Sequence, residues 1–220
     1  MNIKTKTIGI ILARAGSTRL KNKNLKKING KSLIKITLIE AIKSTVFNKI
    51  LLYSDISQKK LDLNLNNLEN VKLVKREKKY STSFITSEKT LLKLVEKKNY
   101  FRNYSNFILL QPTSPMRNFK HIKNAYKKFL ESKKNSIVSV VLGKSKISKN
   151  NIIRKNKNYK TNGAIYITKI SFFKKYKKLF NNNSEIYLMN KKCSIDIDNI
   201  EDFKLAKNYF KILKTSKASA

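Results

Sequence analysis

The chain has 220 residues, enough for one domain with a substantial core, and 40% of them are hydrophobic, which argues against a disordered chain. The net charge of +37 rests mostly on lysines scattered along the sequence, with only six arginines, so it favours anionic small substrates over a dedicated nucleic-acid surface. One cysteine, Cys193, excludes an intramolecular disulfide framework and a cysteine-based zinc site.

The first apolar run, Ile8–Leu12, reads as a buried strand. It is too short for a secretory segment, and no run approaches the roughly 18 residues of a membrane span. The expectation is therefore a soluble cytoplasmic protein. The strand empties into a small-residue basic loop, Ala13, Arg14, Ala15, Gly16, Ser17, Thr18, Arg19, Leu20, Lys21, Asn22, Lys23 and Asn24. Open α/β sheets build phosphate sites in such loops, because ligands bind outside the carboxyl ends of the strands. Gly16 would let backbone N–H groups approach an anion. Arg14 can fork onto phosphate, Lys21 and Lys23 add point charges, and Asn22 and Asn24 offer amides to a base or ribose. A plain basic surface loop after an edge strand has the same composition.

Beyond the loop, strands and helices alternate. Ser32 caps a predicted helix over Leu33–Ser44. Strands are expected at Ile50–Tyr53, Lys72–Val74, Phe107–Leu110, Ile137–Leu142, Ala164–Thr168 and Ile186–Met189. Helices are expected over Ser87–Lys97, Phe119–Leu130 and Ile200–Leu213. This alternation implies one α/β domain over 1–220, a mainly parallel sheet with helices on both faces. Lys144–Lys160 lacks periodicity, which marks a candidate insert or dimerisation segment around 143–161.

Gly30-Lys31-Ser32 and Gly143-Lys144-Ser145 mimic the end of a P-loop. The glycine required five positions earlier is replaced by Leu25 and Val138, so neither qualifies. His121, the single histidine, sits near a helix start and is expected to be solvated rather than catalytic. Ser194-Ile-Asp-Ile-Asp198 carries the second chemical feature. In an extended segment Asp196 and Asp198 share one face, with Ile195 and Ile197 on the other. Two hard carboxylates beside a phosphate pocket suit Mg²⁺. The competing role for them is capping of the helix near Ile200, for which Asn199, Glu201 and Asp202 are also available.

Four blocks in order resemble the acylneuraminate cytidylyltransferases, the CMP-sialic acid synthetases. They are Ala13–Ser17 with Lys21–Asn24, Leu109–Arg117, Asn162–Tyr166 and Ile195–Phe203. The resemblance implies a Rossmann-like nucleotidyltransferase fold and Mg²⁺-dependent transfer of CMP from CTP to the anomeric hydroxyl of an acidic nine-carbon sugar. It implies triphosphate binding by Arg14, Gly16, Ser17 and Lys23, with Ala13 and Lys21 in the same loop, and nucleoside contacts by Asn24 and Arg76. Gln111 and Asn162 would meet the sugar acid, Asp196 and Asp198 would carry Mg²⁺, and Arg14, Lys23 and Asp198 would be catalytic, Asp198 as the candidate proton acceptor. A homodimer is a further implication.

The sequence departs from the family pattern in four places. Leu12 stands for the usual proline, Arg19 for a glycine, Glu77–Ser81 for a run with proline and an acidic residue, and the Val141–Asn162 span is short. Two alternatives stay open. One is a nucleotidyltransferase for another acid sugar, such as legionaminic, pseudaminic or 3-deoxy-octulosonic acid. The other is a non-enzymatic, basic nucleic-acid-binding protein.

Overall fold

The computed structural model describes residues 6–61, 63–65, 68–82, 84–143, 151–154 and 157–218. In chain order the elements begin with β1 (Thr7–Ala13), β2 (Lys27–Ile28), β3 (Lys31–Ser32), α1 (Leu33–Ser44), β4 (Lys49–Ser54) and α2 (Gln58–Leu61). There follow β5 (Val71–Lys75), α3 (Ser87–Glu96), β6 (Asn106–Leu110), α4 (Phe119–Ser132) and β7 (Ser136–Leu142). The chain closes with β8 (Asn151–Arg154), β9 (Lys157–Lys169), α5 (Ile170–Tyr176), β10 (Glu185–Leu188) and α6 (Ile200–Ala218).

The main sheet runs β10-β7-β9-β6-β1-β4-β5, with β8 attached to β9. β1 is parallel to β4 and β6, β4 to β5, and β7 to β10, whereas β9 runs antiparallel to β6, β7 and β8. The expected mainly parallel α/β sheet is therefore present, with one reversed strand inside it.

Strand alternation divides the core between two faces. Ile8 and Ile10 of β1 face a cluster containing Leu91, Leu94 and Val95 of α3 and Phe173 of α5. Ile11 and Ala13 face the other side, with Ile34, Leu38 and Ala41 of α1 and Ile122, Ala125 and Phe129 of α4. Helices thus cover both faces, as a doubly buried strand requires. The Ser32 hydroxyl caps α1 by accepting from Lys35 N–H at 3.2 Å.

A third cluster decides where the site forms. Leu20 of the first loop, Ile28, Leu33 and Ile36 pack with Ile197, Ala206 and the half-buried Ile195. The apolar half of the alternating 195–198 segment is thereby pinned to the same core as the basic loop. Its acids are left on the opposite side.

Two expectations need correction, on the 143–161 segment and on His121, and the Gly30 decoy finds its structural use. Of the segment 143–161, residues 144–150 and 155–156 lie outside the described residues. The rest is not aperiodic: Asn151–Arg154 pairs with the first residues of β9. Its polar composition, Lys157-Asn158-Tyr159-Lys160, suits an exposed ladder and hides the strand from a hydrophobicity reading. Gly30 belongs to a hairpin, because Asn29 (φ 48°) and Gly30 (φ 75°) join β2 to β3 with the paired positive φ of an Asn-Gly turn. His121 is half-buried rather than simply solvated. Its Nδ1 accepts from Asn118 N–H while Asn118 Oδ1 accepts from His121 N–H, a reciprocal cap on α4.

Candidate active site

The basic loop leaves the carboxyl end of β1 and turns back on itself. Asn24, buried, donates its side-chain amide to Arg14 O at 3.0 Å, and Asn22 adopts φ 53° before a single 3₁₀ turn over Lys23–Leu25. Ala15 N–H donates to Asp55 Oδ1 at 2.9 Å, tying the loop to the residue that follows β4. A cleft of about 300 Å³ lies above these strand ends. Arg14, Ser17, Lys23 and Asn24 line one side; Arg76, Gln111, Thr113, Asp196 and Asp198 complete it.

Two guanidinium groups face this cleft. Arg76 is buried, with Nε donating to Tyr80 O at 2.9 Å and Nη2 to Thr90 Oγ1 at 3.0 Å and also to Tyr80 O. Burial lowers its pKa, Asp55 and Tyr53 oppose that effect, and the neighbouring Arg14 charge adds to it. Arg14 reaches Ser81 O at 3.4 Å. Two like charges held together at strand ends make a place where an anion relieves repulsion.

The acids complete the opposite wall. Asp198 Oδ1 lies 3.0 Å from Lys23 Nζ and 3.2 Å from Arg19 Nη2. Asp196 is open to solvent on one side, yet the concave wall desolvates its carboxyl and raises its pKa. A hydrogen bond from Thr113 opposes that rise and the nearby Asp198 charge adds to it. Neither carboxylate caps α6. Asn199 Oδ1 accepts from Asp202 N–H at 2.8 Å, and Asp202 Oδ2 accepts from Asp198 N–H and Asn199 N–H at 2.9 and 3.1 Å. Both acids are therefore left facing the cleft, as the spacing predicts.

Not every candidate from the sequence lines the cleft. Ala13 is buried as the last residue of β1, and Lys21 is exposed outside the lining side chains. Gly16 is exposed, and neither positive φ nor close packing demands a glycine there. Asn162 is buried, with its amide bonded to Ser139, Ser194 and the Ala164 N–H, so it supports the site from behind.

Two further residues shape the site. Gly163 has φ 75°, and a Cβ there would come within 2.7 Å of Gln111 Oε1 and 3.3 Å of Asp196 Oδ2. The glycine scarcity of the chain was the available signal. Arg117 is fully buried and donates Nη1 to Gln111 O at 3.1 Å and to Ala164 O at 3.2 Å. Burial lowers its pKa to about 10, with Glu40 opposing. It braces the Gln111–Arg117 loop against β9, a role that a lone arginine in a sequence does not announce. Ile197 N–H donates to Thr113 O at 2.8 Å, closing the ring of loops.

An open, mostly parallel sheet with a basic loop at its strand ends and facing acids defines the class of nucleotide-handling α/β domains. Residues 8–218 match the family model described as Cytidylyltransferase, and the chain belongs to that family. It is 30% identical to an N-acylneuraminate cytidylyltransferase of Escherichia coli, over 93% of this chain and 52% of that protein. It is 24% identical to a pseudaminic acid cytidylyltransferase of Campylobacter jejuni, over 94% of this chain and 97% of that one. The chain thus spans about half the length of the first curated relatives it matches. A solved CMP:2-keto-3-deoxy-manno-octonic acid synthetase complexed with CTP superposes with TM-score 0.72 at 13% identity, covering 94% of this chain and 98% of that one, a likeness of fold. No helix among the described residues is long and apolar enough to cross a membrane.

Proposed function

We propose that this protein transfers CMP from CTP to the anomeric hydroxyl of a nonulosonic, nine-carbon acid sugar. The observation that carries this reading is the meeting of Arg14, Ser17, Lys23 and Asn24 with Gln111, Asp196 and Asp198 around one cleft. The acceptor oxygen attacks the α-phosphorus of CTP, the bond from that phosphorus to the bridging oxygen breaks, and pyrophosphate leaves. Such a step needs orientation and charge neutralisation more than covalent help from the protein.

Arg14 and Lys23 hold the triphosphate and offset charge developing on the leaving pyrophosphate. Asn24 and Arg76 border the nucleoside end, and Gln111 orients the acceptor. The hydroxyl proton passes to a carboxylate of the Asp196–Asp198 pair. That pair also fits Mg²⁺, because both hard oxygen donors line the phosphate cleft and this ion uses one or two carboxylates plus phosphate oxygens. When bound, Mg²⁺ supplies charge neutralisation on the phosphates. The reading extends to a cytoplasmic step of surface-glycan synthesis, with CTP and an acid sugar as substrates and a homodimer as the proposed assembly.

A second reading has its own support. The pseudaminic acid relative matches over nearly its whole length, whereas the sialic-type relative extends well beyond the match. Pseudaminic and legionaminic acids therefore belong beside N-acylneuraminic acid as acceptors. Pyrophosphate release with CTP, Mg²⁺ and a panel of these acids and 3-deoxy-octulosonic acid tests the proposal. Release with one nonulosonic acid is the expected outcome. No release with any acid, together with salt-sensitive RNA binding, overturns it.

A further inference from the structure

Where β7 meets β9 the register breaks. Val138 pairs with Tyr166 and Val140 with Thr161, so Ser139 alone faces residues 162–165 of β9. Bulges of this kind re-aim side chains next to active sites. Here the bulge is held by a saturated hydrogen-bond network. Asn162 Oδ1 accepts from Ser139 Oγ at 2.6 Å and from Ala164 N–H at 3.2 Å. Its Nδ2 donates to Ser194 Oγ at 2.9 Å and to Met189 Sδ at 3.4 Å. Ser139 Oγ in turn accepts from Ile165 N–H at 2.8 Å, and Ser194 Oγ donates to Asn190 O at 2.8 Å.

This network reaches both halves of the acceptor side of the cleft. Ser194 directly precedes the Ile195–Asp198 segment, so Asn162 fixes the root of the two acids. The next residue, Gly163, packs so closely that a Cβ on it would meet Gln111 Oε1 at 2.7 Å and Asp196 Oδ2 at 3.3 Å. Arg117 locks the backbone on either side by holding Gln111 O and Ala164 O together.

We propose that the Asn162–Gly163 bulge is the positioning device that sets the separation of Gln111 from Asp196 and Asp198. Asn162, Gly163 and Ser194 are positioning residues: they act through Gln111 and the acid pair. The inference rests on the cytidylyltransfer reading above. A bulge aimed by polar side chains holds the acid segment more tightly than a plain ladder, because each buried polar group would be left unpaired by a shift.

Three variants test this, each checked for a native melting transition. Ser194→Ala removes the anchor of the acid segment, Ser194→Thr keeps a hydroxyl, and Gly163→Ala pushes Gln111 and Asp196 apart. Ser194→Ala and Gly163→Ala are expected to lower kcat roughly 10- to 100-fold, the usual effect of losing support behind a metal ligand, with the KM for CTP unchanged. Ser194→Thr restores kcat. Mn²⁺ binding in the presence of CTP, read by electron paramagnetic resonance, weakens in the same two variants. Unchanged kcat and Mn²⁺ binding in Ser194→Ala overturn the inference, even if Gly163→Ala fails to fold. A wild-type protein that neither releases pyrophosphate nor binds Mn²⁺ with CTP removes the underlying reading as well, so the two failures are told apart.

Discussion

Lys23 Nζ lies 3.0 Å from Asp198 Oδ1, across 175 residues of sequence. The contact joins the loop after the first strand to the segment before the last helix. Asp198 balances that ammonium and Arg19 while facing the cleft, so its charge is central to the proposed step. Asp198→Asn keeps the shape and removes the charge. Turnover is expected to fall by about two orders of magnitude or more with the melting temperature preserved. Near-normal kcat in a pyrophosphate-release assay would exclude an essential charged carboxylate at this position.

Arg14 is the half-buried cation nearest the start of the loop, and it repels the buried Arg76. In the proposed reaction a bound triphosphate would relieve that repulsion. Arg14→Ala is therefore expected to raise the KM for CTP several-fold and lower kcat less, since a forked contact to phosphate is lost before chemistry begins. CTP kinetics identical to wild type would remove Arg14 from the phosphate site.

The parts of the site that were legible in the sequence are those where periodicity and chemistry coincide. Ile195 and Ile197 alternate with Asp196 and Asp198, and the apolar pair found the core while the acids found the cleft. The Ile8–Leu12 strand and its loop were readable for the same reason. The resemblance assigns Asn162 to the sugar acid, whereas its amide is taken up by Ser139, Ser194 and the Ala164 N–H, a use that only the tertiary network fixes. Arg117 falls within the Leu109–Arg117 block, but its role is not legible there, because its two acceptors are backbone atoms far apart in the chain, Gln111 O in the loop after β6 and Ala164 O on β9. The polar start of β9 was illegible because an exposed ladder needs no apolar alternation.

Asp196 predicts a stability effect of definite sign. Its pKa is raised, chiefly by desolvation in the cleft wall, so the native state binds that proton more tightly than the unfolded chain. Above the raised value the ionised carboxylate disfavours folding, and this penalty fades as pH falls through that value. Asp196→Asn is expected to melt higher than wild type at neutral pH, with the gain vanishing below the ordinary carboxylate range. Thermal melts across pH check it; a lower melting temperature at neutral pH would contradict the desolvation argument. Activity should be lost in the same variant, a trade of function against stability.

Arg117→Met removes two N–H donors from Gln111 O and Ala164 O inside the core. Leaving such acceptors unpaired costs about 1–3 kcal/mol, and the site loop loses its brace. Urea unfolding is expected to show a lower midpoint at unchanged slope, with kcat reduced alongside. An unchanged midpoint would mean that dehydrating the guanidinium already cancels those two bonds.

β9 sits between β6 and β7 in the sheet although it follows both in the chain. Until it inserts, the strand that delivers Gln111 and the strands that lead to the acid pair have no common neighbour. The two walls of the cleft thus share one ladder only through this reversed strand, so any defect that keeps β9 from pairing would separate the basic loop and Gln111 from the acid pair while leaving β6-β1-β4-β5 intact.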